Sequence, residues 1–185
     1  MHNAFENMTL EELWELFPIT LLDHNPKWKE WADSEIEHLR VILEKFSPLI
    51  THIGSTAIPG IKAKPIVDIL VEVPDDCEMP DIRSTMDKSG YICMPVSENR
   101  MSFNKGYTPG GYAEKVFHIH IHRIGDNDEI RFRDYLLSYD DIAKEYEALK
   151  LELISRYRKN RDAYTDAKSE FVKRVVMLAN DVSIK

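Results

Sequence analysis

Apolar positions along this chain follow two periods in turn. Thr9-Leu-Glu-Glu12 forms a capping box that opens a short helix, and Asn25-Pro26 supplies a cap and a first-turn proline for a longer helix reaching about Phe46. Runs of β-formers then predict strands at about 49–53 and 65–73, a helix near 79–88 ending at Gly90, and strands at 91–96, 101–104 and 115–123. From Asp128 onward the period is helical. Ile130, Tyr135, Leu137, Ile142, Tyr146, Leu149, Leu153, Tyr157, Phe171, Val175 and Leu178 recur at spacings that bury one face, with charges between them. Tyr and Phe in that set read as core rather than cofactor contacts. Sheet and helix therefore alternate over the first two thirds, and helices packing on the sheet fill the last third, which is an α/β (α+β) pattern. Phe103–Tyr112, with its glycines and two tyrosines, reads as a hairpin connection; the alternative is a lid that stacks Tyr107 or Tyr112 on a base.

Composition narrows the setting. With 185 residues, 43% of them hydrophobic, and no low-complexity linker, the expectation is one domain over 1–185. Met1–Phe17 is acidic and lacks a basic segment followed by an apolar run, and no stretch approaches the ~18 apolar residues of a membrane span, so a cytoplasmic protein is expected. Cys77 and Cys93 lack CxxC spacing and read as reduced structural thiols, which makes the Asn7-Met-Thr9 sequon irrelevant. A formal net charge of −8 argues against an extended nucleic-acid surface. A local basic pocket for a nucleotide or small phosphate compound is still expected, with Lys62, Lys64, Arg100 and Lys105 as candidates. Lys62 reads best as a solvated side chain, whereas Lys64, before Pro65 at a strand entry, is expected near Ser55 if the turn folds back.

The chemistry concentrates in residues 52–72. An apolar strand breaks at Gly54-Ser55-Thr56, and a second strand delivers Asp68. A Gly-Ser turn frees backbone N–H groups for phosphate oxygens, a lysine adds positive charge, and a carboxylate on a rigid strand can hold a divalent metal against those phosphates. Gly54, Ser55, Thr56 and Lys64 are therefore the candidate phosphate-binding residues.

This turn, its spacer and the carboxylate strand resemble the nucleotidyltransferase superfamily. More closely, His52–Gly60 and Ala63–Asp68 resemble the GrpB family, as do Asn25-Pro-Lys-Trp28, His118-Ile-His120, Phe132–Leu136, Glu145–Lys150 and Arg161–Lys168, in order. The resemblance covers most of the chain. It implies a nucleotidyltransferase-like mixed sheet with flanking helices. It also implies a protein partner such as dephospho-CoA kinase, to which some relatives are fused.

The chain departs from the superfamily pattern after Asp68. Side chains at i and i+2 of a strand share a face roughly 6.5–7 Å apart, close enough for two carboxylates to converge on metal ions. Here i+2 is Leu70, and Glu72 at i+4 is about 13 Å away at ~3.3 Å per residue. The replacement ligands are sought in Lys115–Ile124, where His118, His120 and His122 alternate with Phe117, Ile119 and Ile121 and so share one face. Asp68, His118 and His120 are thus the candidate metal ligands, with Asp68 and His120 as candidate catalytic residues. Imidazole favours Mn²⁺ or Zn²⁺ over Mg²⁺. His118-x-His-x-His122 also imitates the core of histidine triad hydrolases, but Arg123 stands where that family has an apolar residue.

Two functions follow as expectations. One is nucleotide or phosphate binding with metal-dependent nucleotidyl or phosphoryl transfer on an incomplete carboxylate set. The other is a non-catalytic module that binds a nucleotide or CoA-related ligand or assists a partner; histidine-triad-like hydrolysis is a minor third reading.

Overall fold

The computed structural model describes Phe5, residues 8–94 and residues 96–183. Its elements are α1 (Leu10–Leu16), α2 (Lys27–Ile42), β1 (Leu49–Ile53), β2 (Val67–Val73), α3 (Met79–Lys88), β3 (Ile92–Cys93), β4 (Met101–Thr108), β5 (Gly111–Arg123), α4 (Asp128–Ser138), α5 (Asp140–Tyr157), α6 (Arg161–Asp166) and α7 (Ser169–Ser183). The five strands form one mixed sheet in the order β1-β2-β5-β4-β3. Only the central β2–β5 pair is parallel; the others are antiparallel.

Local rules set most boundaries. The capping box closes in both directions, Glu12 N donating to Thr9 Oγ1 at 3.2 Å and Thr9 N to Glu12 Oε2 at 2.7 Å. Asn25 Oδ1 accepts from Lys27 N at 3.1 Å at the start of α2. That helix stops at Ile42 rather than Phe46, because a single 3₁₀ turn at Glu44–Phe46 follows and Ser47 turns left-handed with φ 46°. The expected strand at 91–96 shrinks to two residues, and its Pro95 lies outside the described residues, as does Asn7 of the sequon.

Residues 103–112 form a hairpin rather than a lid. Tyr107 pairs with Tyr112 across β4 and β5, and the ladder shifts register between Lys105 and Tyr107. Gly106 sits at that irregularity with φ 88°, where a Cβ would meet Lys115 O at 2.2 Å, so only glycine fits. Both tyrosines are fixed in the sheet.

The sheet separates two apolar layers. On one face Val67, Ile69, Val71, Val73, Phe117, Ile119 and Ile121 join Trp28, Ala32 and Leu39 of α2 and Ile82 and Met86 of α3 in the main core. A second cluster joins α4, α5 and α7 through Phe132, Leu136, Tyr146 and Val175, together with Ile58 and Ile61 from the β1–β2 connection. Each of the fully buried aliphatic side chains of β2 contributes about 1.5–3 kcal/mol. Among the described residues no helix is long and apolar enough to cross a membrane, and Cys77 and Cys93 are free thiols.

Candidate functional site

Period two on β2 aims Asp68 away from the main core, and the parallel register sets His118 directly beside it. Asp68 Oδ1 lies 3.3 Å from His118 Nδ1 and 3.6 Å from His120 Nε2. Burial pulls the Asp68 carboxyl upward, but the two imidazoles outweigh it and hold the group well below the usual carboxylate range. His118 moves down, because burial outweighs the attraction of Asp68. Burial therefore favours its neutral ring.

A relay orients His118 from behind. Arg161 Nη2 donates to the Tyr107 hydroxyl at 3.0 Å, and that hydroxyl lies 2.7 Å from His118 Nε2. When Tyr107 donates, Nδ1 carries the proton and points it at Asp68; when Tyr107 accepts, Nδ1 presents a lone pair. Tyr107 is thus the partner that selects the tautomer.

Gly54 completes the contact with Asp68 from β1's side. Its φ of 72° and ψ of −175° belong to a region that only glycine occupies comfortably, and the 3₁₀ turn Ser55–Ala57 follows at once. Ser55 Oγ then accepts a hydrogen bond from Lys150 Nζ at 3.2 Å, across 95 residues of sequence.

Gly54, Ser55, Lys64, Asp68, His118 and His120 line one cavity of about 280 Å³. Thr56 does not. Its buried hydroxyl is 2.9 Å from His52 Nε2, so the side chain proposed for phosphate is occupied elsewhere. Three of the four candidate cations lie elsewhere: Lys62, read as a surface side chain, pairs with Asp23, Arg100 with Asp126, and Lys105 with buried Glu35. Lys150, Arg161 and Lys168, from α5, α6 and the start of α7's approach, take their place beside Lys64. Sequence reasoning missed these three, although Lys150 and Lys168 end segments that match the GrpB pattern and Arg161 begins one.

The cations crowd one another. Burial, with Lys168 and Arg161 nearby, lowers Lys64 to about 7, and burial with Lys168 lowers Lys150 to about 7. Lys168 is also lowered, by burial against the opposing pull of Asp68. Among the described residues none of Lys64, Lys150, Arg161 and Lys168 has a carboxylate within ion-pair distance. Among the described residues Asp68 is the only carboxylate on the cavity wall.

Neither remaining candidate joins the site. Glu72 is buried and accepts from Gly125 N at 2.9 Å and Asn127 Nδ2 at 3.1 Å, which makes it structural. His122 is buried with Nδ1 2.9 Å from Asp126 O, so a histidine triad does not form around this cavity.

Asp68, His118 and His120 are the one group among the described residues able to hold a metal, with ligand atoms within 4.8 Å of one another. One carboxylate and two imidazoles suit Mn²⁺, Zn²⁺ or a similar ion and suit Mg²⁺ poorly.

Comparison with known proteins identifies relatives of the chain and of its fold. The UPF0157 proteins YqkA of Bacillus subtilis and PA4798 of Pseudomonas aeruginosa are 32% and 35% identical, over 89% and 85% of this chain. The chain spans 49% and 66% of their lengths. The crystal structure of conserved protein GrpB from Enterococcus faecalis superposes with a TM-score of 0.76 at 28% identity, covering 90% of this chain and all of that one. Cid1 poly(U) polymerase bound to MgATP superposes at 0.51 with 14% identity, covering 83% of this chain and 47% of that one, so the fold is nucleotidyltransferase-like. The family profile described as GrpB protein matches residues 18–177, and with the relatives above it shows that this chain belongs to the GrpB family.

Proposed function

We propose that this protein binds a nucleotide or related phosphate compound in the cavity between the sheet and the C-terminal helices. One observation carries the reading: a chain of net charge −8 gathers Lys64, Lys150, Arg161 and Lys168 around a single cavity, and among the described residues none of them has a carboxylate in ion-pair contact. Like charges held together at the expense of their own protonation are stabilised by an anion that enters among them. Ser55 and the Gly54 backbone add hydrogen-bonding groups to the same wall.

Asp68, His118 and His120 would hold a divalent transition metal at the edge of that cavity, where it supplies charge neutralisation to a phosphate. Tyr107 would then accept from His118 Nε2 and free Nδ1 as a ligand. A second carboxylate beside Asp68 favours two-metal transfer chemistry, and the described residues offer only imidazoles there. Binding is therefore the primary reading. Metal-dependent nucleotidyl or phosphoryl transfer is the second, favoured by the nucleotidyltransferase-like fold and by a three-ligand set that leaves coordination positions open.

Thermal denaturation with tripolyphosphate and nucleoside triphosphates, each with and without Mn²⁺, Zn²⁺ and Mg²⁺, tests this. Stabilisation by the phosphates, lost in Lys64→Ala and Lys168→Ala, is expected. No shift with any phosphate at millimolar concentration sinks the proposal.

A further inference from the structure

A second cleft shares Arg161 with the phosphate cavity. Its volume is about 290 Å³, and its walls include Leu13, Trp14, Phe17 and Met94, with Tyr107 forming another side. Two polar groups, Asn104 and Asp162, interrupt this apolar lining. Among the described residues neither the Asn104 amide nor the Asp162 carboxylate has a side-chain hydrogen bond or an ion pair.

Volume ties the two spaces together. At about 280 and 290 Å³, each falls just short of the roughly 300–1,000 Å³ usual for a small-molecule site, whereas a ligand reaching from one to the other sits well inside that range. Arg161 belongs to both walls and donates to the Tyr107 hydroxyl at 3.0 Å, so its guanidinium stands between the two spaces. One space is cationic and the other aromatic. A molecule matching both carries phosphates at one end and a flat ring at the other.

We infer that this cleft receives the purine base of the ligand whose phosphates occupy the first cavity, an inference that rests on the phosphate-binding reading above. The indole of Trp14 offers a face for stacking, whereas His118 and Arg161 already lie over the Tyr107 ring. An amide that donates and accepts side by side matches the N6 and N7 edge of adenine, and a free carboxylate accepts from an exocyclic amine. Asn104 and Asp162 are therefore specificity-determining residues outside the phosphate cavity.

Titration calorimetry with tripolyphosphate and with ATP, both without added divalent metal, separates the two ideas while tryptophan emission is followed. Both ligands are expected to bind, ATP about ten-fold more tightly, given the usual gain from stacking one base on an aromatic side chain. Only ATP is expected to change the emission, and Trp14→Leu should remove that change. Asn104→Ala should reduce the advantage of ATP and leave tripolyphosphate binding unaltered. Equal binding of the two ligands, or a full ATP advantage in both variants, overturns the base cleft and leaves phosphate binding standing. Binding of neither overturns both.

Discussion

Gly54 lies against Asp68 so closely that a Cβ added to the glycine would come 2.4 Å from Asp68 Oδ2. The turn and the carboxylate are therefore one unit, although separate strands supply them. Gly54→Ala meets both a steric block and a backbone conformation hostile to side chains, and should cost about 2 kcal/mol in urea denaturation. Because the block falls on Asp68 itself, any metal-dependent stabilisation should vanish in the same variant. An alanine variant with wild-type stability and metal response would show that the turn relaxes freely.

The Asp68, His118 and His120 group predicts a second result. His120→Ala should abolish Mn²⁺- or Zn²⁺-dependent thermal stabilisation and leave the melting of the metal-free protein nearly unchanged, since its ring is only half-buried. Tyr107→Phe removes the hydroxyl that orients His118 and should weaken metal affinity about ten-fold. A His120→Ala protein with an undiminished metal shift would reduce the imidazoles to a groove lining.

Lys64 and Lys150 make stability rise with pH. Their folded values of about 7 lie below the ordinary lysine value of 10.5, so between those limits the unfolded chain holds protons that the folded chain has lost. Raising the pH through that window relieves the penalty, which is complete at and below about 7. Lys150→Met should therefore be more stable than wild type near neutrality, by roughly 1–2 kcal/mol, and show a flatter pH profile in denaturant titrations. Tripolyphosphate should flatten the wild-type profile as well, by stabilising the protonated amines.

Lys105 serves the fold instead of the pocket. Its Nζ sits 2.7 and 2.8 Å from the two oxygens of Glu35, which also accepts from the Tyr91 hydroxyl at 2.6 Å. Lys105→Met leaves a buried carboxylate without its counter-charge and should destabilise the protein by about 1–3 kcal/mol. Affinity for tripolyphosphate should not change. A loss of affinity would return Lys105 to the binding surface.

Much of this was legible along the chain because it depends on neighbours close in sequence. The capping box at Thr9 and the cap at Asn25 follow from side chains bonding to backbone within one turn, and the helix over 79–88 stops before Gly90, whose φ is 85°. The direction of Asp68 follows from period two alone, since Val67, Ile69 and Val71 must enter the core. Likewise the alternation of His118, His120 and His122 with apolar residues sets all three on one face. That these strands belong to a nucleotidyltransferase-like sheet came from the resemblance of ordered motifs.

Tertiary structure decided which groups meet. Nothing local dictates that β5 runs parallel beside β2, yet this pairing alone brings His118 to 3.3 Å from Asp68. Charge pairing is likewise settled in space: Lys62, Arg100 and Lys105 each find a carboxylate, whereas Lys64, Lys150, Arg161 and Lys168 come together around a cavity where, among the described residues, the only carboxylate is Asp68, already engaged by two imidazoles. A sequence determines periods, caps and turns, because these act over a few residues; the identity of a pocket depends on long-range contacts such as Lys150 with Ser55, whose distance along the chain carries no signal until the core has packed.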